Sequence, residues 1–315
     1  MKRTLIFLLI LLIVTPIAFK IGKRAFTIQG PPLPDMNYEV RDTLADGQGR
    51  EAAVILLGGQ SNASGCSRDE YLKLNTSPEK YAEYDAGYDN VYINYYTTGT
   101  NVSNGFVKCA TRQGESGVCF GPELGMAERL HEMYPDRTFF IIKCAWGGTN
   151  LFSQWRSPSS FGITGPLYKH FTEYVNASLE YLVSKNYDVK IEAMCWMQGE
   201  SDSLSVRDAV AYRTNIKNFV RDIRAEFSEY SDTDGIGFAD AYIAENPVWI
   251  YHDYLNTSKR KAAESLPMYC VIDTNSEGLT CKNEPYDDPD IVHYDSLSQI
   301  KLGNLFAEAL SRFLG

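Results

Sequence analysis

Apolar positions along this chain fall into two alternating patterns. Five short runs are almost continuously hydrophobic: 52–59 (AAVILLGG), 138–148 (TFFIIKCAWGG), 190–200 (KIEAMCWMQGE), 235–243 (GIGFADAYI) and 267–273 (PMYCVID). Strands buried on both faces require such runs, so each predicts a strand of a parallel sheet. Between them the apolar residues recur at helical spacing. Residues 121–134 carry Leu124, Ala127 and Leu130; 167–184 carry Leu167, Phe171, Tyr174, Val175, Leu179 and Leu182; 208–227 carry Ile216, Phe219, Val220, Ile223 and Phe227. A last amphipathic stretch, 296–313, has Leu297, Ile300, Leu305, Phe306, Ala309, Leu310 and Phe313 on one side. Strand and helix in alternation predict an α/β fold, a doubly wound, five-stranded, mostly parallel sheet with helices on both faces. One stretch breaks the rhythm. Residues 64–119 are rich in Tyr, Asn, Gly and Thr, with only NVYINYY (90–96) resembling a strand. A long excursion near the strand ends is expected there, and such loops tend to be functional.

Composition adds the outline of the molecule. With 44% hydrophobic residues, 13% aromatics and scattered charges in 315 residues, the chain can build a large core and shows no sign of disorder. An α/β pattern of this length commonly forms one unit. The expected organisation is a leader at 1–24, a proline-containing linker at 25–50 and one domain at 51–315. A net charge of −10, with no Lys/Arg cluster beyond residue 24, argues against nucleic-acid binding, which needs a basic footprint.

The leader has Lys2 and Arg3, an uncharged stretch from Thr4 to Phe19, then Lys20, Lys23 and Arg24. As a helix that stretch would reach about 24 Å, short of a hydrocarbon core of about 30 Å, which favours a signal peptide. No small-x-small cleavage site stands out, because Pro16 sits two residues before Ala18. A cleaved signal peptide and a retained membrane anchor both fit, and either places the rest of the chain outside the cytosol. Seven cysteines suit an oxidising compartment, where Cys109 with Cys119 and Cys270 with Cys281 are spaced to close short surface loops. Cys144 and Cys195, inside strand-like runs, are expected as buried thiols. Asn75, Asn101, Asn176 and Asn256 begin N-x-Ser sequons.

In doubly wound sheets ligands bind beyond the carboxyl ends of the strands. There the first run ends in Gly58-Gly59-Gln60-Ser61-Asn62, the second in Ala145-Trp146-Gly147-Gly148-Thr149-Asn150 and the third in Met197-Gln198-Gly199-Glu200-Ser201-Asp202. After the fifth comes DPDIVHYDS, with Asp290 and His293 three apart before the last helix. A serine nucleophile needs a base within hydrogen-bond reach and a group to orient that base. Four histidines are present. His131 and His170 lie in amphipathic helices and read as surface or packing residues, and His252 follows an irregular aromatic segment. His293 alone has a carboxylate three residues earlier on a turn leading into a helix, so Asp290 can hold one imidazole nitrogen while the other faces Ser61. Gly147-Gly148 offers backbone N–H groups, and Gln198 a side-chain amide, to a developing oxyanion. Glu200 and Asp202, two apart, read as helix caps or loop braces rather than as the paired acids of a glycosidase. Neither G-x-S-x-G, H-E-x-x-H, a P-loop, G-x-G-x-x-G nor zinc-type cysteine spacing is present, so no catalytic metal or nucleotide cofactor is expected.

The segments GGQSN (58–62), KCAWGGTNLFSQW (143–155) and WMQGESD (196–202) resemble the SGNH hydrolases. Within them they resemble the carbohydrate esterase branch of sialate O-acetylesterase-like and plant acetylxylan-esterase-like proteins. FGPELGMAERL (120–130) and DIVHYDSLSQIKLGNLFAEAL (290–310) resemble that branch too. The resemblance implies a flavodoxin-like sheet and a serine esterase that removes O-acetyl groups from carbohydrates. It implies Ser61 as nucleophile, His293 as base and then acid, and Asp290 as orienter. The oxyanion hole would draw on Ser61, on Gly147, which lies two residues before Thr149 as the superfamily's glycine lies before a Ser/Thr, with Gly148 as the alternative, and on Gln198. Substrate contacts would come from Gln60, Asn62, Thr149, Trp155 and Glu200. Gln60 and Gln198 replace the Asp and Asn common in the wider superfamily, as is typical of this branch. Two other readings stay open: a non-catalytic carbohydrate-binding protein of the same fold, with Trp146, Trp155 and the tyrosines of 81–96 stacking on sugars, and an SGNH lipase or short-chain acyl esterase.

Overall fold

The computed structural model describes residues 38–98 and 101–314. The leader, with its two readings, and the linker up to residue 37 lie outside the described residues. Among the described residues no helix is long and apolar enough to cross a membrane. In chain order the elements are β1 (Glu51–Gly59), α1 (Ser61–Ser64), β2 (Ser67–Arg68), α2 (Asp69–Asn75), α3 (Pro78–Ala86), β3 (Val91–Thr97), β4 (Val107–Lys108), β5 (Cys119–Phe120), α4 (Pro122–Met133), β6 (Phe139–Ala145), α5 (Pro166–Ser184), β7 (Asp188–Met197), α6 (Val206–Glu226), β8 (Gly237–Ala241), α7 (His252–Ala263), β9 (Tyr269–Ile272) and α8 (Ser296–Leu310).

The main sheet runs β4-β3-β6-β1-β7-β8-β9, and β2 with β5 forms a small separate ribbon. All neighbours in the main sheet are parallel except β3 and β4. The five strands expected from sequence are consecutive, in the order second, first, third, fourth, fifth, which is the flavodoxin-like arrangement. Where five strands were expected there are seven, because the excursion contributes β3 and the two-residue β4 at one edge. β3 reads weakly since its inward positions include Asn94, which is fully buried yet satisfied by Ser178 and Ser103. α7 was also not expected. Its inward face carries Asn256, Ser258 and Lys259 beside Leu255 and Ala262, so little apolar periodicity remains to betray it.

Helices cover both faces. Lys143 of β6 reaches Glu123 of α4 at 2.7 Å, while Asn94 of β3, of opposite parity in the register, reaches Ser178 of α5 at 3.0 Å. On the α5 side, Phe219 of α6 packs on Trp196 of β7 and on Tyr168 of α5. On the α4 side, α8 lies so close to α4 that a Cβ on Gly125 would come 2.0 Å from the Ile300 carbonyl oxygen. Residues 38–50, within the expected linker, lie along α5: the Leu44 N–H donates to Tyr181 Oη (2.9 Å) and the Gly47 N–H to the Lys185 carbonyl (2.6 Å).

All seven cysteines are free thiols, so the expected loop closures are not formed. Cys109 is buried with its Sγ donating to the Glu123 carbonyl, whereas Cys119 sits in β5 against β2. Cys144 and Cys195 are buried thiols, as expected. Asn256, read as a sequon, is buried with both amide atoms bonded to the Ile243 backbone, which leaves it no access to a glycan.

Candidate active site

The site starts at Gly59, the last residue of β1. Its φ is +141°, and a Cβ there would lie 2.0 Å from the Met197 carbonyl oxygen, so only glycine lets β1 close on β7 at this point. The Gln60 N–H donates to that same carbonyl (2.9 Å), and the N–H groups of Ala63 and Ser64 both return to the Gln60 carbonyl. Ser61 is thereby held, half-buried, at the start of a single helical turn at the carboxyl end of the central strand.

The neighbouring strands deliver the rest. Gly59 is in register with Ala145 on one side and Met197 on the other, so Trp146-Gly147-Gly148 and Gln198-Gly199-Glu200 leave the sheet on either side of Ser61. A Cβ on Gly147 would lie 3.6 Å from Ser61 Cβ. The Gly147 N–H donates to Thr98 Oγ1 at 2.6 Å. Gly148, at φ +67°, has nothing within 4 Å of where a Cβ would sit and faces open space. Glu115 Oε1, buried without a partner, lies 2.7 Å from the position of a Gly147 Cβ. Sequence reasoning named neither Thr98 nor Glu115. Both come from the excursion, which has no periodicity to mark them.

Asp290 and His293 arrive on a loop braced against the start of α8. The Asp295 carboxylate accepts from the N–H groups of Asn283 and Glu284, and the Glu284 carboxylate accepts from the N–H and hydroxyl of Ser296. Within this loop His293 Nδ1 and Asp290 Oδ2 are 2.6 Å apart, and the Val292 N–H donates to Asp290 Oδ1. Asn62, the residue after Ser61, bonds the backbone on both sides of His293. No hydrogen bond joins Ser61 to His293 in the described structure, a looseness common in sites without substrate. Beside His293 and Asp290 opens a cleft of about 360 Å³, bordered also by Cys66, Arg68, Tyr71 and Asp288.

Several residues expected to touch substrate do not reach the surface. Gln60, Asn62, Thr149, Trp155 and Glu200 are all buried. Gln60 Oε1 accepts from the N–H groups of Gly199 and Ser201, and Thr149 Oγ1 accepts from Trp155 Nε1 at 2.8 Å. Trp155 stands edge-on to Trp196, with ring centroids 5.2 Å apart, as a core residue. These five frame the site from within, a correction to the expected substrate contacts. The Gln198 side-chain nitrogen is likewise turned inward, to Asp202 Oδ2 (2.6 Å), the Thr149 carbonyl (3.0 Å) and Gln60 Oε1 (3.3 Å). Asp202 also accepts from the N–H groups of Leu151 and Phe152, and burial still pushes its carboxyl up to about 7. It braces a loop, as its spacing implied. His170 is a packing residue: Tyr38 Oη lies 2.8 Å from its Nδ1, and burial lowers its pKa to about 4. Trp146 is half-buried and stacked on Tyr96. Among the described residues no group of three or more His, Cys, Asp or Glu is arranged to hold a metal ion.

A parallel sheet with a serine at the turn after its central strand, and an Asp-His pair beside it, defines a hydrolase-type α/β protein. Residues 51–312 match the carbohydrate esterase family described as sialic acid-specific acetylesterase, and the chain belongs to that family. A probable carbohydrate esterase of Arabidopsis thaliana is 26% identical over 174 residues, 55% of this chain. The match spans 56% of that relative's length. The crystal structure of the Arabidopsis protein superposes with a TM-score of 0.60 at 18% identity, covering 84% of this chain and all of the other. NanS superposes at 0.59 with 16% identity over 84% of this chain and 98% of its own. A carbohydrate acetylesterase from Xanthomonas citri superposes at 0.56 with 16% identity, over 83% of this chain and 56% of its own. At these identities the superpositions establish a shared fold.

Proposed function

We propose that the protein is a serine esterase that removes O-acetyl groups from carbohydrates through Ser61, His293 and Asp290. The observation that carries this reading is the 2.6 Å His293–Asp290 pair, held beside the Ser61 turn by the amide of Asn62. Asp290 fixes the imidazole with Nδ1 carrying the proton, which leaves Nε2 as the base. His293 takes the Ser61 hydroxyl proton as Oγ attacks the acetyl carbonyl. The tetrahedral oxyanion is met by backbone N–H groups of Ser61 and of the glycine pair. Gly147, expected from sequence, lies beside Ser61 but gives its N–H to Thr98, which favours the Gly148 N–H as the donor. His293 then protonates the departing sugar oxygen, and water attacks the acetyl-enzyme with His293 again as base, releasing acetate. The cleft beside His293, with Tyr71 and Arg68 on its wall, offers room for the sugar. The family's description and the two esterases among its relatives support an acetylated carbohydrate as the substrate class. The leader supports action outside the cytosol, by secretion or membrane attachment.

The test is acetate release from a panel of acetylated glycans, including acetylated xylan and O-acetyl sialic acid. Ser61→Ala is expected to lower kcat by about 10⁴ to 10⁶ on whichever glycan the wild type cleaves. Wild-type rates in the purified Ser61→Ala variant would remove Ser61 from the chemistry. Labelling of Ser61 by a fluorophosphonate separates an esterase from a pure sugar binder.

A further inference from the structure

Asn62 and Glu200 are buried side by side between the nucleophile and the base, and neither is exposed to a ligand. Asn62 Nδ2 donates to Glu200 Oε1 at 2.8 Å and to the Val292 carbonyl at 3.3 Å. Asn62 Oδ1 accepts from the Tyr294 N–H at 3.1 Å. One amide thus grips the backbone immediately before and immediately after His293, as a neighbouring strand would. The main chain of Asn62 is fixed in turn: its carbonyl accepts from Gln299 Nε2 of α8 at 2.7 Å. Ser67, just past the α1 turn, closes the ring by donating from Oγ to the Tyr294 carbonyl at 2.6 Å.

We infer that Asn62 and Glu200 are positioning residues that set His293 relative to Ser61, with Asn62 as the clamp and Glu200 as the acceptor that orients its amide. The chemistry of the clamp needs both ends of an amide. A carboxylate at 62 would turn a lone pair toward the Val292 carbonyl and toward Glu200, and an aliphatic side chain would release both. Glu200 fixes which end is which, because its buried acceptor demands the Nδ2 side. Its other oxygen, Oε2, is buried without a partner, and among the described residues Asn62 is the only side chain that hydrogen-bonds to this carboxylate. Displacement of a catalytic group by about 1 Å costs on the order of 100-fold in rate. Asn62 acts through His293, so its effect must vanish when the imidazole is gone.

This inference rests on the esterase reading, and the experiment keeps the two apart. Hydrolysis of p-nitrophenyl acetate is measured for wild type, Ser61→Ala, Asn62→Ala, His293→Ala and the double variant Asn62→Ala/His293→Ala, with thermal melts of each. Asn62→Ala is expected to lower kcat about 100-fold with KM unchanged within about threefold. In the His293→Ala background the same substitution is expected to change kcat by less than about threefold, a coupling that a merely structural residue would not show. Glu200→Gln, which can keep an acceptor toward Asn62, is expected within about fivefold of wild type, and Glu200→Leu near Asn62→Ala. These last two keep the test decisive if an Asn62 variant fails to fold. Equal losses from Asn62→Ala in both backgrounds, or wild-type kcat in Glu200→Leu, would overturn the positioning role while an inactive Ser61→Ala leaves the esterase standing. An active Ser61→Ala would instead remove Ser61 as the nucleophile, the reading on which this inference rests.

Discussion

At Gly59 the absence of one methyl group lets β1 pass within touching distance of the Met197 carbonyl and turn at once into Ser61. Gly59→Ala meets both a backbone clash and a φ of +141° that L residues avoid, so it is expected to cost about 3 kcal/mol or more. Urea unfolding measures this, and a loss below about 0.5 kcal/mol would show that the strand can shift without penalty. The Ser61 turn and the Asp290–His293 pair were legible at this scale because each is a short local motif: a serine after a Gly-Gly strand end, and an acid three residues before a histidine. Asn62, in the first of these motifs, and Glu200, at the end of the third strand run, were read as substrate contacts, yet both are buried. Their side chains point into the protein, and the direction of a side chain at a turn depends on what packs behind it. Thr98 and Glu115 left no trace, since proximity to Gly147 is their sole distinction.

Among the elements, the continuous apolar runs located β1, β6, β7, β8 and β9 because a strand covered on both faces has no polar side to confuse the pattern. The same logic failed for α7, whose buried face is held by charge. Lys259 Nζ donates to Asp240 Oδ1 at 2.6 Å and to the Ala241 carbonyl at 2.8 Å, while Tyr269 Oη donates to Asp240 Oδ2. Lys259 and Asp240 are fully buried. Lys259→Met therefore strands a carboxylate in the core and is expected to destabilise the protein by about 3–5 kcal/mol. Adding Asp240→Asn is expected to recover part of that loss, because it removes the charge left behind. Equal stability of the single and double variants in denaturant titrations would mean that the pair is not coupled.

For the molecule as a whole, the pH dependence of stability has a component that can be assigned. His170 sits among Tyr38, Tyr96 and Trp146, and burial lowers its pKa to about 4 from an ordinary 6.5. Between those values the unfolded chain takes up a proton that the folded protein does not. Stability is therefore fully present above about pH 6.5 and falls as the pH drops toward 4, by up to about 1.4 kcal/mol per unit. Asp202, raised to about 7, acts in the opposite sense over an overlapping range, so the measurement is the difference between wild type and His170→Gln, in which Asp202 is unchanged. A difference that stays constant from pH 4 to 7 would contradict the assignment. The amino-acid order by itself determined the five central parallel strands and the most regular of the helices between them, and it marked Ser61, Asp290 and His293 as candidates for chemistry, since periodicity and motif are properties of neighbours along the chain. Only the tertiary structure decided that Asn62 clamps the backbone around His293, about 230 positions away, and that Gln198 faces inward. Such partners are chosen by strand register and by the loops that fold over it, and no local pattern records a contact between residues so far apart.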